Sequence, residues 1–338
     1  MAAAGGGGDQ RVQNEVQMST TNRSDLFRGV VWRSLAAWCT CALLAAPTFS
    51  SHVSAQAARQ FASPEDAVKS IIAVVKAGNL AELAAILGAD GKELIESSDP
   101  ATARQNRRVF TVAVGEQWHL EDAAPNRKTL VIGNEGWPFP VPLVKEESGW
   151  RFDAAAGSEE IIARRIGRNE LAAIAAVRAY VTAQQRYAEQ AHDGNPAGVH
   201  ASKFASDPGK ENGLYWPAKA GQKRSPLGDL VAQAAPGGRA VSGDRSQPSP
   251  FHGYYFKILT AQGSAASGGQ KQYIVKGLMS GGFALVAWPA QYDVTGVMTF
   301  AVNQDGIVHE TDLGPETDAT ARKMSVYNPD KPWRALRQ

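Results

Sequence analysis

The sequence predicts an α+β protein, in which a helix-plus-antiparallel-sheet domain is followed by a long helix packed on an antiparallel meander. The first observation is the stretch Ser158 to Gln190, where steps of 3.6 residues gather Ile162, Ile166, Ala173, Ile174, Val177, Tyr180, Val181, Tyr187 and Ala188 on one face. Arg164, Arg168, Arg178, Thr182, Arg186 and Glu189 fall on the other. This is the pattern of a long amphipathic helix, with Gly167 as the expected point of a break or bend. The second observation is the set of short β-branched and aromatic runs on either side of it, separated by Gly, Asn and Asp. The third is length: without residues 1–57 the 338-residue chain keeps 281, more than one ordinary core organises. Two domains are therefore expected, 58–157 and 158–338.

Residues 1–57 read as an N-terminal extension with an export signal, removed in the mature protein. Arg23, Arg28 and Arg33 precede an apolar run from Leu35 to Ala46 that is too short to span a bilayer, and small residues follow at Val53 to Ala57. Cleavage after Ala55 or Ala57 fits that order, and Met18 offers a start with a more ordinary basic region. Both cysteines, Cys39 and Cys41, lie in the apolar run, so the expected mature chain has no thiol for a disulfide, a metal or nucleophilic catalysis. Trp38 and Thr40 stand before them where lipidation requires small residues. The expected location is periplasmic. The segment carries four Lys+Arg and three Asp+Glu, so 31 and 30 remain. That near-neutral balance argues against a nucleic-acid partner. No later apolar run approaches twenty residues, so no membrane span is expected after cleavage.

The first domain opens on a helix start, Ser63-Pro64-Glu65-Asp66, with a capping serine, proline at the first helical position and acids facing the positive helix end. Ala67, Ile71, Val74 and Val75 point inward, and Lys76-Ala77-Gly78-Asn79 stops the helix. A second helix is expected over Leu80 to Leu87. Arg108 to Gln117, Lys128 to Ile132, Val141 to Lys145 and Trp150 to Phe152 read as strands by composition, with turns at Asn126 and Glu147-Ser148-Gly149. Two helices with an Ala-Gly-Asn break, then strands ending in Trp-Arg-Phe-Asp, resemble cone-shaped domains of the nuclear-transport-factor-2-like type. The resemblance implies a cavity between sheet and helix, for which Trp118, Trp137, Phe139, Trp150 and Phe152 are candidate lining residues.

In the second domain the long helix leads into a loop-rich insert, 193–250, where Gly213 to Pro217 and Ser225 to Leu230 carry anchoring aromatic and leucine side chains. Five strands follow: Gly253 to Leu259, Gln272 to Gly277, Phe283 to Ala287, Val297 to Val302 and Ile307 to Glu310. Asn303-Gln304-Asp305-Gly306 supplies a hairpin turn. A helix before a meander, with Thr182-Ala183-Gln184, Gly253-Tyr254-Tyr255-Phe256, Ala287-Trp288-Pro289 and Thr295-Gly296, resembles pilin-like globular domains. The pilin amino terminus is missing: no prepilin site or long apolar half precedes the helix.

Taken together, FASPEDAV, VPLVKEESGWRFDAAAG, NELAAI with YVTAQQRYA, PFHGYYFKIL, AWPAQYDVTGVMTF and YNPDKPW resemble an uncharacterised family of exported bacterial proteins, catalogued as domain of unknown function 2950. The resemblance runs from Phe61 to Trp333. It brings no activity, ligand or catalytic residue with it.

The residues themselves point to binding more than to chemistry. His119, His192, His200, His252 and His309 have no metal-ligand spacing, and neither a nucleophile elbow nor a phosphate-cradling loop occurs, so no cofactor or metal is expected. His252 beside Tyr254 and Tyr255 is a candidate general base. Glu310, Asp312, Glu316 and Asp318 are candidate Ca²⁺ ligands, without the order of a preformed loop. Glu170 and Gln184 fall within the apolar stripe of the long helix and are a candidate buried polar pair. Tyr215, Trp216, His252, Tyr254, Trp288 and Tyr292 are the candidate ligand or partner surface, since rings with a polar tip recognise sugars and peptides. The expected function is a non-enzymatic binding or assembly factor of the cell envelope, with an envelope protein or a peptidoglycan-type sugar as partner. The alternative is a small-molecule hydrolase or isomerase working in the first domain's cavity.

Overall fold

In the computed structural model, which describes residues 57–95, 100–218, 224–228 and 250–337, helix α1 (Pro64–Ala77) starts as its sequence dictates. The Ser63 hydroxyl accepts the Asp66 N–H at 3.1 Å, and Gly78 ends the helix in the left-handed region, its N–H turned back to Val74 and Val75. Helix α2 (Leu80–Leu87) follows with Asn79 as cap. The expected export signal, and residues 219–223 and 229–249 of the expected insert 193–250, lie outside the described residues.

The segment expected as a first strand, Arg108 to Gln117, is instead the end of helix α4 (Pro100–Glu116), which follows the short α3 (Lys92–Ile95). Its Val, Phe and Thr suggest β structure, but β propensity is weak against tertiary burial, and the helix places Ala113 and Val114 in the core. The first sheet begins immediately after it. Its strands are β1 (Trp118–Ala124), β2 (Arg127–Ile132), β3 (Trp137–Pro138), β4 (Leu143–Glu146) and β5 (Gly149–Phe152). The antiparallel order is β1-β2-β4-β5, with β3 on the far end of β2. β1 was not foreseen, because His119, Glu121 and Asp122 make it polar: it is the edge of the sheet and mostly exposed.

Helix α5 (Ala154–Ala188) is longer than predicted at its start, where the Asp153 carboxylate accepts the Ala156 N–H. It stays helical through Gly167, so the expected break is absent. Ala173, Val177, Tyr180, Val181 and Tyr187 are buried as the periodicity requires. Ile162 and Ile166 are only half-buried.

The second sheet has the order β15-β13-β12-β11-β6, built from β6 (Tyr254–Leu259), β11 (Ala284–Pro289), β12 (Met298–Asn303), β13 (His309–Asp312) and the terminal β15 (Arg334–Ala335). Four of the five expected strands belong to it. The fifth, Gln272 to Gly277, leaves the meander. β8 (Lys271–Gln272) pairs with β7 (Ala261–Gln262), and β9 (Ile274–Val275) folds back on β10 (Leu278–Met279). Lys276 and Gly277, both at positive φ, make that tight turn. Helix α6 (Thr317–Lys323) packs on β11, and β14 (Val326–Tyr327) runs parallel to β7. The fold is mixed α+β. Its buried apolar side chains form two clusters, Ala67 to Ala154 and Ala173 to Tyr327, and α5 contributes to both.

Candidate binding groove

Of the six residues expected to form a binding surface, three are core. Tyr254, Trp288 and Trp216 are 0, 4 and 6% exposed. The Tyr254 hydroxyl donates to the Met298 carbonyl at 2.9 Å, and the Trp288 indole N–H to Asp318 at 2.9 Å. Trp216 packs beside the His192 ring. Helix α5 packs on β11 and β12, and α6 on β11, so large rings beneath them fill the layer between helix and sheet. Tyr215, His252 and Tyr292 remain half-exposed. Tyr215 sits in a bridge with Ala205, His252 at positive φ against Phe251, and Tyr292 donates to Asp312 at 3.2 Å. The six therefore do not line one surface.

Glu170 and Gln184 do not meet, since fourteen helical residues separate them by about 21 Å. Each has its own task. One Glu170 oxygen accepts the N–H groups of Val297 and Met298, both at 3.0 Å, and neighbouring Asn169 donates to the Thr295 carbonyl at 2.8 Å. Burial, and secondly the Glu170 carboxylate, push the Tyr254 phenol well above its usual range, so it stays a donor. Gln184 is fully buried. Its amide N–H₂ donates to the Ala201 carbonyl at 2.8 Å and to Tyr180, and its oxygen accepts the Ala201 N–H at 2.9 Å.

Of the four acids considered for Ca²⁺, Glu310, Asp312 and Asp318 have other partners. Glu310 holds Arg334, Asp312 accepts from Gly314 and Tyr292, and Asp318 binds Trp288 and Arg322. Among the described residues no group of three or more His, Cys, Asp or Glu is placed to hold a metal ion.

The surface the molecule does offer lies on the first half. Gln105, Arg108, Val109, Val112, Ala113 and Glu116 of α4 face Gly133, Glu135 and Trp137 across a groove of about 300 Å³. Val109, Val112 and Trp137 are 38, 60 and 53% exposed, three of the nine large apolar side chains exposed among the described residues. Asn134, in the turn before β3, donates its N–H to a Glu116 oxygen at 2.9 Å, which ties the far wall to the helix end. Behind the wall Phe110 meets Phe139 at a tilt, and Phe139 meets Phe152 edge to face. The expected aromatic cavity is thus divided: Trp150 and Phe152 are buried, Trp118 and Phe139 are partly buried against the same cluster, and Trp137 faces out. A smaller hollow of about 90 Å³ lies between β14 and the second sheet, floored by Leu259, Val286 and Ala301.

A family model described as "Protein of unknown function (DUF2950)" matches residues 58–336, nearly the whole described chain. The chain belongs to the DUF2950 family. No curated protein and no solved structure matches. The DUF2950 match takes in both halves, the groove and all of α5. In this DUF2950 protein Trp137 is among the residues expected to line a cavity, and the α4 residues opposite it are not. A signal existed: Gln105, Arg108, Val109, Val112 and Glu116 recur at helical spacing.

Proposed function

We propose that this protein is exported to the periplasm and acts there as a non-enzymatic binding or assembly factor, with the α4 groove as its contact surface. The observation that carries this is the convergence of Val109, Val112 and Trp137, all exposed, on one groove. Such a cluster is stabilised when another apolar surface covers it, and a tryptophan at its edge is the side chain that most often dominates such a contact. Two exposed valines beside the tryptophan favour an apolar polypeptide surface over a sugar as partner. Acid–base chemistry is poorly served here. The groove stands open to water, and one Glu116 oxygen already accepts the Asn134 N–H.

The test is in-cell photo-crosslinking from position 137, with a photoreactive amino acid in place of Trp137, combined with cell fractionation. A periplasmic crosslinked protein species, lost on Val112→Asp, is the expected result. No crosslinked polypeptide, with the purified protein retaining a small molecule, would overturn the proposal in favour of the enzyme.

A further inference from the structure

We infer that the polypeptide seated on the α4 groove is a second copy of this chain, related to the first by a two-fold axis passing at Val112. This deepens the binding role proposed above and rests on it. On the helical wheel Gln105, Arg108, Val109, Gly115 and Glu116 lie within about 60° of Val112, and all six are exposed. Arg108 stands one turn before Val112 and Glu116 one turn after it. Two such helices crossing antiparallel at Val112 set Arg108 of each copy opposite Glu116 of the other. One cation and one anion on a single helix thus serve both ends of the contact, the self-complementarity that an isologous interface requires. A parallel crossing would oppose arginine to arginine and glutamate to glutamate.

The apolar residues fit the same arrangement. Val112, the most exposed large apolar side chain among the described residues, sits on the axis, and Val109 and Trp137 widen the patch around it. A Cβ built at Gly115 meets nothing within 4 Å, so this face of the helix is open to close approach by a second backbone. Asn134 holds the Glu116 carboxylate in place through one oxygen and leaves its charge available.

A residue on a two-fold axis faces its own copy, which gives a direct test. In the full chain with Cys39 and Cys41 replaced by Ser, Val112→Cys is expected to form a disulfide-linked dimer on mild oxidation, because Cα atoms facing each other across packed helices come within about 6 Å. Leu171→Cys, 58% exposed on α5, is the control and should remain uncrosslinked. Sedimentation of the uncrosslinked protein then tests the charges. Arg108→Glu and Glu116→Arg should each weaken self-association roughly tenfold or more, and mixing the two variants should restore a dimer, since both contacts then pair opposite charges. Single variants that dimerise like wild type, or a mixture that stays monomeric, would overturn the assignment. A monomeric wild type that still crosslinks a different protein from position 137 would overturn the second-copy inference and leave the binding role standing. A monomer with no crosslinked polypeptide would overturn both.

Discussion

Gln184 shows at the residue scale why a polar side chain sits inside an apolar stripe. Ala201 lies in a loop with no sheet neighbour to take its N–H and carbonyl, and Gln184 satisfies both. Gln184→Leu fills similar space but leaves those two groups buried and unpaired, which should cost about 2–4 kcal/mol in urea unfolding. Glu170 plays the same part for Val297 and Met298. Glu170→Gln keeps an acceptor and should cost less than about 1 kcal/mol, whereas Glu170→Ala should cost about 2–3 kcal/mol. Equal losses for the two variants would show that the carboxylate charge, and not its acceptor geometry, matters. Periodicity marked both residues as misfits on the helix. It could not name their partners, which lie 17 and about 127 residues further on.

Among the elements, α5 is the one that joins the two clusters, and its two glycines behave oppositely. A Cβ at Gly157 would stand 2.7 Å from a Val141 methyl and 3.1 Å from the Val141 Cα, so the helix can approach that loop only without a side chain. Gly157→Ala should lower the melting temperature. Gly167 has nothing within 4 Å and sits inside the helix, so Gly167→Ala should stabilise by about 0.5–1 kcal/mol through helix propensity alone. Thermal melts of the two variants check the pair together, and a gain at both positions would contradict the close packing at Val141. Helix α4 gives the opposite lesson about legibility. Its last turns carry strand-forming residues that compete with their helical spacing, and the helix is the arrangement that buries Ala113 and Val114.

For the whole molecule, pH reports on how burial is distributed. Burial holds the His200 and His309 imidazoles below their ordinary value of 6.5, so the folded protein resists protonating them. The unfolded chain binds more protons as pH falls through 6.5, so stability is complete above that value and declines below it. The carboxylates of Asp207 and Asp318, held low first by Lys203 and Arg322, respond only in a more acidic range. Melting temperature should therefore fall between pH 7 and 5, and His200→Phe, packed against Phe283, should flatten the fall. A slope unchanged in that variant would remove His200 from the account. The sequence by itself determined the α+β class, the caps of α1, the long helix, the hairpin at Asn303 to Gly306 and the family. These depend on residues close together in the chain, where spacing and turn chemistry act directly. Only the tertiary structure decided that Tyr254, Trp288 and Trp216 are core, and that Trp137 faces Val112 across an open groove. Those outcomes depend on which distant surfaces cover one another, and an aromatic ring has the same composition whether a helix covers it or water does.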